Sequence, residues 1–207
     1  MWVDDKMSTL DGRLRGGIQI INKLIGMPPE PNADALDACT ETVSAYTRVH
    51  KGKRFVFVDT PAFEQDKFQS ISMWLGFIFR RSIMLTGVVY THDITVKCSR
   101  TEERNCRILS KMCGEGAIDR LRLVTTMWDD ASLPEAIEVE NVLKEKHAKL
   151  LLDAGSGYER FDNTPELAWK IVEGLGDKKK ALKLQEEMVD NIVDWRKTSA
   201  FIGIVLQ

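Results

Sequence analysis

The chain predicts an α/β fold of three layers, a mostly parallel sheet with helices on both faces, and three observations carry that expectation. Short β-forming runs alternate along the chain with longer segments of helical spacing. The runs are apolar almost throughout, as strands buried on both faces must be. Residues with chemistry to offer stand where those runs stop, at the carboxyl ends where open α/β sheets bind ligands.

With 207 residues, 43% hydrophobic and 29% charged, the chain can bury one sizeable core and is too apolar for a disordered segment. A formal net charge of -2 asks for no polyanion, so no nucleic-acid partner is expected. Cys39, Cys98, Cys106 and Cys113 lack Cys-x-x-Cys spacing and a paired His, which argues against zinc and for free thiols in a reducing compartment. Met1-Trp2-Val3 runs straight into Asp4-Asp5-Lys6 without the apolar stretch of a signal peptide, so a cytoplasmic protein is expected. The apolar end, residues 200–206, is far shorter than the roughly twenty residues a spanning helix needs, and no transmembrane segment is expected.

The most informative stretch is 53–63. Phe55-Val56-Phe57-Val58 are consecutive β-formers, and Asp59-Thr60-Pro61 is turn chemistry, so a buried strand opens there into a loop. An Asp at such an end can hold a metal-bound water, and the N–H groups of the turn can face a phosphate. Upstream, Trp2 and Val3 alone are apolar before a charged run, so the first strand is expected to be degenerate or truncated. Gly12 to Gly17 is a Gly-rich turn, residues 18–25 read as a helix stopped by Gly26, and 43–49 reads as an edge strand. Residues 68–83 form an amphipathic helix ending in Arg80-Arg81. The strand 85–91 ends at His92-Asp93. A helix over 100–113 has Ser99 or Thr101 as its cap and Gly114 as its stop. The strand from Leu121 ends in Thr126-Met127-Trp128-Asp129-Asp130, and a long helix spans 133–152 with Pro134 in its first turn. A last short strand covers 158–163, Thr164-Pro165 opens the next helix, and a charged helix spans 177–195. Residues 1–176 form the main domain and 177–207 a helical extension with an apolar tail.

Several of these residues resemble a known pattern. Asp59-Thr60-Pro61-Ala62-Phe63 is similar to the Asp-Thr-Pro-Gly-Phe form of the Asp-x-x-Gly motif in the AIG-type, immunity-associated P-loop GTPases, with Ala62 in place of the Gly. Ile20-Ile21-Asn22-Lys23-Leu24 matches the tail of the family's phosphate loop, Gly-x-x-x-x-Gly-Lys-Ser and the helix behind it. That alignment sets Asp11 and Gly16 at the two Gly positions, Gly17 at the Lys and Ile18 at the Ser. The lysine that reaches the phosphates and the hydroxyl that binds magnesium are thus replaced. Thr40 matches the first-switch Thr, and Gly87-Val88-Val89-Tyr90-Thr91-His92 the family's Gly-Val-x-Tyr-x-His. Thr126-Met127-Trp128-Asp129 looks like the Thr-x-Met-Trp variant of the guanine motif in fungal members, with Met127 or Trp128 lying on the base. Asn163 matches the Asn that closes over the base.

The resemblance implies a G-domain-like P-loop NTPase that binds GTP or GDP and Mg2+. Gly12, Gly16, Gly17, Asp59, Thr60, Thr126, Asp129 and Asn163 would bind nucleotide, and Thr40 and Asp59 the metal. Hydrolysis is expected to be impaired and no residue is assigned a catalytic role. The alternative is a nucleotide-free pseudo-GTPase acting as a scaffold or regulatory partner. The family's association across nucleotide faces also implies a homodimer, or a heterodimer with intact relatives. A hydrolase built on His92 with Asp93 or Asp59 is a distant third reading, since no nucleophile stands out. His92 itself reads first as a hydrogen-bonded structural histidine.

Overall fold

The structure is a computed structural model and describes residues 2–4, 16–26, 44–60, 65–176 and 179–205. Four strands form a parallel sheet in the order β1 (Trp2–Asp4), β4 (Val88–Asp93), β5 (Leu121–Thr126) and β6 (Gly157–Arg160). The central ladder runs in register from Val88 opposite Leu121 to Asp93 opposite Thr126. β2 (Ser44–His50) and β3 (Lys53–Asp59) form an antiparallel hairpin, and β3 lies close to β1. The strands therefore follow the spatial order β2, β3, β1, β4, β5, β6.

Alternation along the strands divides the core in two. Val88, Tyr90, Leu121 and Leu123 face one layer, with α2 (Gln65–Phe79), α3 (Arg100–Cys113), α5 (Lys149–Asp153), α7 (Lys183–Val189) and α8 (Ser199–Val205). Val89 and Val124 face the other, with α1 (Gly16–Ile25) and α6 (Pro165–Glu173). Each fully buried side chain of this size contributes roughly 1.5–3 kcal/mol, so these two layers dominate the stability. Leu182, Leu184, Ala200 and Phe201 from the C-terminal segment share the first layer. The hairpin is held to α6 by His50 stacked on Trp169 at 3.7 Å and by Lys51 Nζ on Glu173 at 2.6 Å.

Most elements stand where the sequence puts them, and each difference has a physical cause. β1 is present as a three-residue strand, because its backbone pairs with β4, Trp2 opposite Val89, whatever its own weak composition. α1 begins at Gly16, two residues before the expected start. α2 stops at Phe79 rather than 83, since Ser82 is left-handed at φ 59. Arg81 still serves the helix end, donating to the Phe77 carbonyl at 3.2 Å. The expected helix over 133–152 is interrupted. α4 (Leu133–Val142) passes into a π turn, Leu143–His147, where the Ala148 N–H reaches the Leu143 carbonyl at 2.7 Å. The slip turns Leu143, Ala148 and Leu151 into the core together. The expected helix over 177–195 shrinks to α7. Ile192 at φ 54 interrupts its end, and Lys180 before it bridges to Leu85 and pairs with Asp119.

α3 has the Ser99 cap, with Glu102 closing a capping box, and the Gly114 stop at φ 67. Cys106 and Cys113 are buried in its apolar face, and burial pushes the Cys113 thiol up to about 12. Among the described residues no helix is long and apolar enough to cross a membrane.

Gly87, just before β4, makes the tightest interlayer approach. A Cβ there would lie 2.7 Å from both the Arg120 carbonyl oxygen and a Leu175 methyl. Gly87→Ala should therefore cost about 1–3 kcal/mol as overpacking. The expected result is a lower urea midpoint at an unchanged slope; an unchanged midpoint would show that the layers can part there freely.

Candidate functional site

The residues with chemistry stand at the carboxyl ends of strands and at the start of α1. Asp59 ends β3 and is 2% exposed, and Thr60 after it is fully buried. Gly16 and Gly17 open α1, with Gly17 buried and Ile18 half-buried. Gly12, Thr40, Asp11, Cys39 and Pro61-Ala62-Phe63 lie outside the described residues. Among the described residues no group of three or more His, Cys, Asp or Glu side chains is placed to hold a metal ion. The Ile18 side chain offers no oxygen, so among the described residues the side-chain oxygens nearest to that role are those of Asp59 and Thr60.

The turns after β5 and β6 are more complete. Thr126 closes β5, buried, its hydroxyl donating to the His92 carbonyl at 3.4 Å across the ladder. Met127 is left-handed at φ 63, which turns the chain out of the sheet into a short 3-10 turn, Trp128–Asp130. Asp129 is exposed on that turn. Asn163 follows β6, also left-handed at φ 60, and its amide nitrogen lies 3.5 Å from Asp129 Oδ2. The Asn163 Oδ1 atom is buried and has no hydrogen-bond partner among the described residues. Thr164 holds the Asn163 turn, donating from both N–H and hydroxyl to Asp162 while capping α6 through the Leu167 N–H. An exposed carboxylate and an amide thus share one rim, the acceptor and donor types that read the edge of a planar base.

Behind that rim is a set of side chains that sequence reading missed. The Trp128 indole N–H donates to Thr125 Oγ1 at 3.0 Å, and Thr125 meets the Tyr158 hydroxyl at 2.9 Å. Tyr158 donates to Glu140 Oε1 at 2.6 Å. Arg160 forks onto the same carboxylate, 2.7 Å to Oε1 and 2.5 Å to Oε2, with its guanidinium 4.4 Å from the centre of the Trp128 ring. Met127 is buried, so both residues expected to lie on a base have protein surroundings of their own. Glu140 is 3% exposed. Burial pushes its carboxyl up, but bonds from Arg160 and Tyr158 and the nearby Lys144 charge outweigh that and hold it below its ordinary value. Burial and Glu140 push the Tyr158 hydroxyl up, so it remains a donor. In sequence Glu140 looks like one more charge on a solvated helix face, and no local signal links it to residues 125, 158 and 160.

His92 is buried at the end of β4, with Nε2 3.7 Å from Cys98 Sγ. Asp93 turns to Thr95, accepting from its N–H at 2.9 Å and its hydroxyl at 2.7 Å. Burial lowers the proton affinity of His92 against the opposing charges of Glu102 and Asp93. Below its ordinary value of 6.5 the unfolded chain takes up a proton there that the folded chain resists, so stability is full above that value and falls as pH drops toward the lowered one. Melting between about pH 7.5 and 5.5 should show this decline, and His92→Gln should flatten it. An equally steep decline in that variant would assign the effect to other groups.

No family model matches the chain, and no curated protein matches it in sequence. Solved structures do. Toc33 from Arabidopsis thaliana, as a dimerization-deficient mutant, superposes with a TM-score of 0.52 at 12% identity, covering 87% of this chain and 85% of that one. Toc33 in complex with Mg2+ and GMPPNP gives 0.50 at 14% identity, covering 79% and 81%. Translation elongation factor SelB from Methanococcus maripaludis, in complex with the GTP analogue GppNHp, gives 0.51 at 12% identity over 79% of this chain. This chain spans about a third, 32%, of SelB. The layer order, the parallel sheet and these likenesses together give the chain the three-layer α/β fold seen in Toc33 and in the matching part of SelB.

Proposed function

We propose that this chain binds guanine nucleotides of the GTP and GDP type at the carboxyl edge of its sheet, in the manner of the AIG-type GTPases, with weak hydrolysis. One observation carries the reading: the exposed Asp129 carboxylate is held beside Asn163 where β5 and β6 end, in a fold shared with proteins solved with GMPPNP and GppNHp. A carboxylate there accepts from both the ring N–H and the exocyclic amine of guanine, and it repels adenine, which presents a ring acceptor instead. Thr126 braces the turn from below, and Asn163 closes over the base from β6. The same reading assigns Asp59, Thr60, Gly12, Gly16 and Gly17 to the phosphates, and Thr40 and Asp59 to a magnesium ion that accompanies the nucleotide.

The start of α1 supports the qualification about hydrolysis. Gly17 and Ile18 leave that turn without the ammonium that neutralises developing charge and without the hydroxyl that ligates magnesium. The same observation favours a second reading, a pseudo-GTPase that serves as a scaffold or regulatory partner, including as a dimer.

Titration of nucleotide-free protein with GDP and a non-hydrolysable GTP analogue tests the base site. Asp129→Ala should weaken both by at least about tenfold, the cost of losing a charge-assisted bond. Asp129→Asn should move preference toward xanthine nucleotides, whose exocyclic oxygen, in place of the guanine amine, accepts from the new amide. Unchanged binding in Asp129→Ala would contradict the assignment. The phosphate end is tested by Gly17→Lys combined with Ile18→Ser, which should raise GTP turnover. Turnover by the parent chain equal to that of the double variant would refute the account of the loop.

A further inference from the structure

We infer that Glu140, Tyr158 and Arg160 are positioning residues for base recognition: the closed circuit they make with Thr125 and Trp128 aims the Asp129 carboxylate. The inference rests on the guanine-site reading above, and concerns residues that stand behind the rim.

Hydrogen counting fixes the direction of the circuit. Tyr158 gives its one hydroxyl hydrogen to Glu140, so in the 2.9 Å contact with Thr125 it can only accept. Thr125 therefore donates to Tyr158, which leaves its oxygen to accept the Trp128 N–H at 3.0 Å. Every hydrogen runs toward the Glu140 carboxylate, and Arg160 meets that carboxylate from the other side with two bonds. The guanidinium then lies over the Trp128 ring, so the path from Trp128 through Thr125, Tyr158, Glu140 and Arg160 returns to Trp128. Lys144 adds a second cation over Tyr158, 4.1 Å from the ring centre.

The circuit spans every element that carries the base site. Glu140 belongs to α4, Thr125 to β5, Trp128 to the Asp129 turn, and Tyr158 and Arg160 to β6, whose next residues lead to Asn163. Trp128 is the immediate neighbour of Asp129 in the 3-10 turn, which the Asp130 N–H closes onto the Met127 carbonyl at 3.2 Å and which the indole anchors to β5 through Thr125. The anchored indole holds the turn from behind while the Asn163 amide meets Asp129 Oδ2 at 3.5 Å, and together they set the carboxylate's direction. A two-point grip on ring N–H and exocyclic amine tolerates little error in that direction, since recognition geometry has to hold to within roughly half an ångström.

The test compares GDP with IDP, whose base keeps the ring N–H but lacks the exocyclic amine. Both share every phosphate and ribose contact, so general loosening weakens them together, and a misaimed Asp129 lowers their ratio. Dissociation constants for both are measured in the parent chain, Asp129→Ala, Glu140→Gln, Arg160→Met and the milder Tyr158→Phe. Gly87→Ala serves as a destabilised control at the opposite edge of the sheet. The parent chain should prefer GDP by about tenfold or more, and the three circuit variants should lose most of that preference, with GDP weakened more than IDP. Gly87→Ala should keep the preference. Parallel weakening of both nucleotides in the circuit variants, or an intact ratio in Tyr158→Phe and Glu140→Gln, would overturn the positioning role while Asp129→Ala alone still loses discrimination. A parent chain that does not distinguish GDP from IDP overturns the base-site reading and this inference with it.

Discussion

The parallel pairing of β4 with β5, from Val88 opposite Leu121 to Asp93 opposite Thr126, is buried on both faces and sets the geometry of the molecule. Parallel strands need helical crossovers, so α3 must return the chain across one face, and the residues following both strands must emerge at one edge. β1 and β6 extend the same direction on either side, which brings the turns after β5 and β6 next to each other. Asp129 and Asn163, 34 residues apart in sequence, are neighbours for that reason. Without this ladder the exposed carboxylate would be an ordinary surface charge.

Polar groups near that edge are organised by the same burial. Glu140 is removed from water, and a buried carboxylate is tolerated when charged and neutral donors satisfy it; Arg160, Tyr158 and Lys144 do so. The result is a hydrogen-bonded support behind the Asp129 turn. The start of α1 has a different character, because it begins with Gly16, Gly17 and Ile18 and supplies backbone N–H groups rather than charged or hydroxyl side chains.

Elements whose cause is local were legible in the sequence. The run from Phe55 to Val58 makes a strand from its own composition, and Ser99 with Glu102 makes a capping box from side chains three residues apart. Elements decided by distant partners were not. β1 owes its existence to β4, and the π turn at Leu143–His147 depends on which residues the core accepts. Asp59, Thr126, Asp129 and Asn163 were picked out because each follows a strand or a turn signal. The Glu140 circuit was invisible because it joins residues from four elements, each of which looks ordinary alone. The left-handed Met127 and Ile192 carry no sequence mark, since neither is a Gly or an Asn.

The proposed site, with Gly17 and Ile18 at its phosphate end, is expected to hold a nucleotide mainly by its base. The most direct measurement is the ratio of affinities for GDP and for guanosine in the presence of magnesium, taken by calorimetry on nucleotide-free protein. A base-dominated site predicts that guanosine binds within about a hundredfold of GDP, since the phosphates then add less than about 3 kcal/mol. A GDP affinity many orders of magnitude above that of guanosine and dependent on magnesium would contradict it, and would mean that the Gly16-Gly17 turn grips phosphate as strongly as a loop with its lysine.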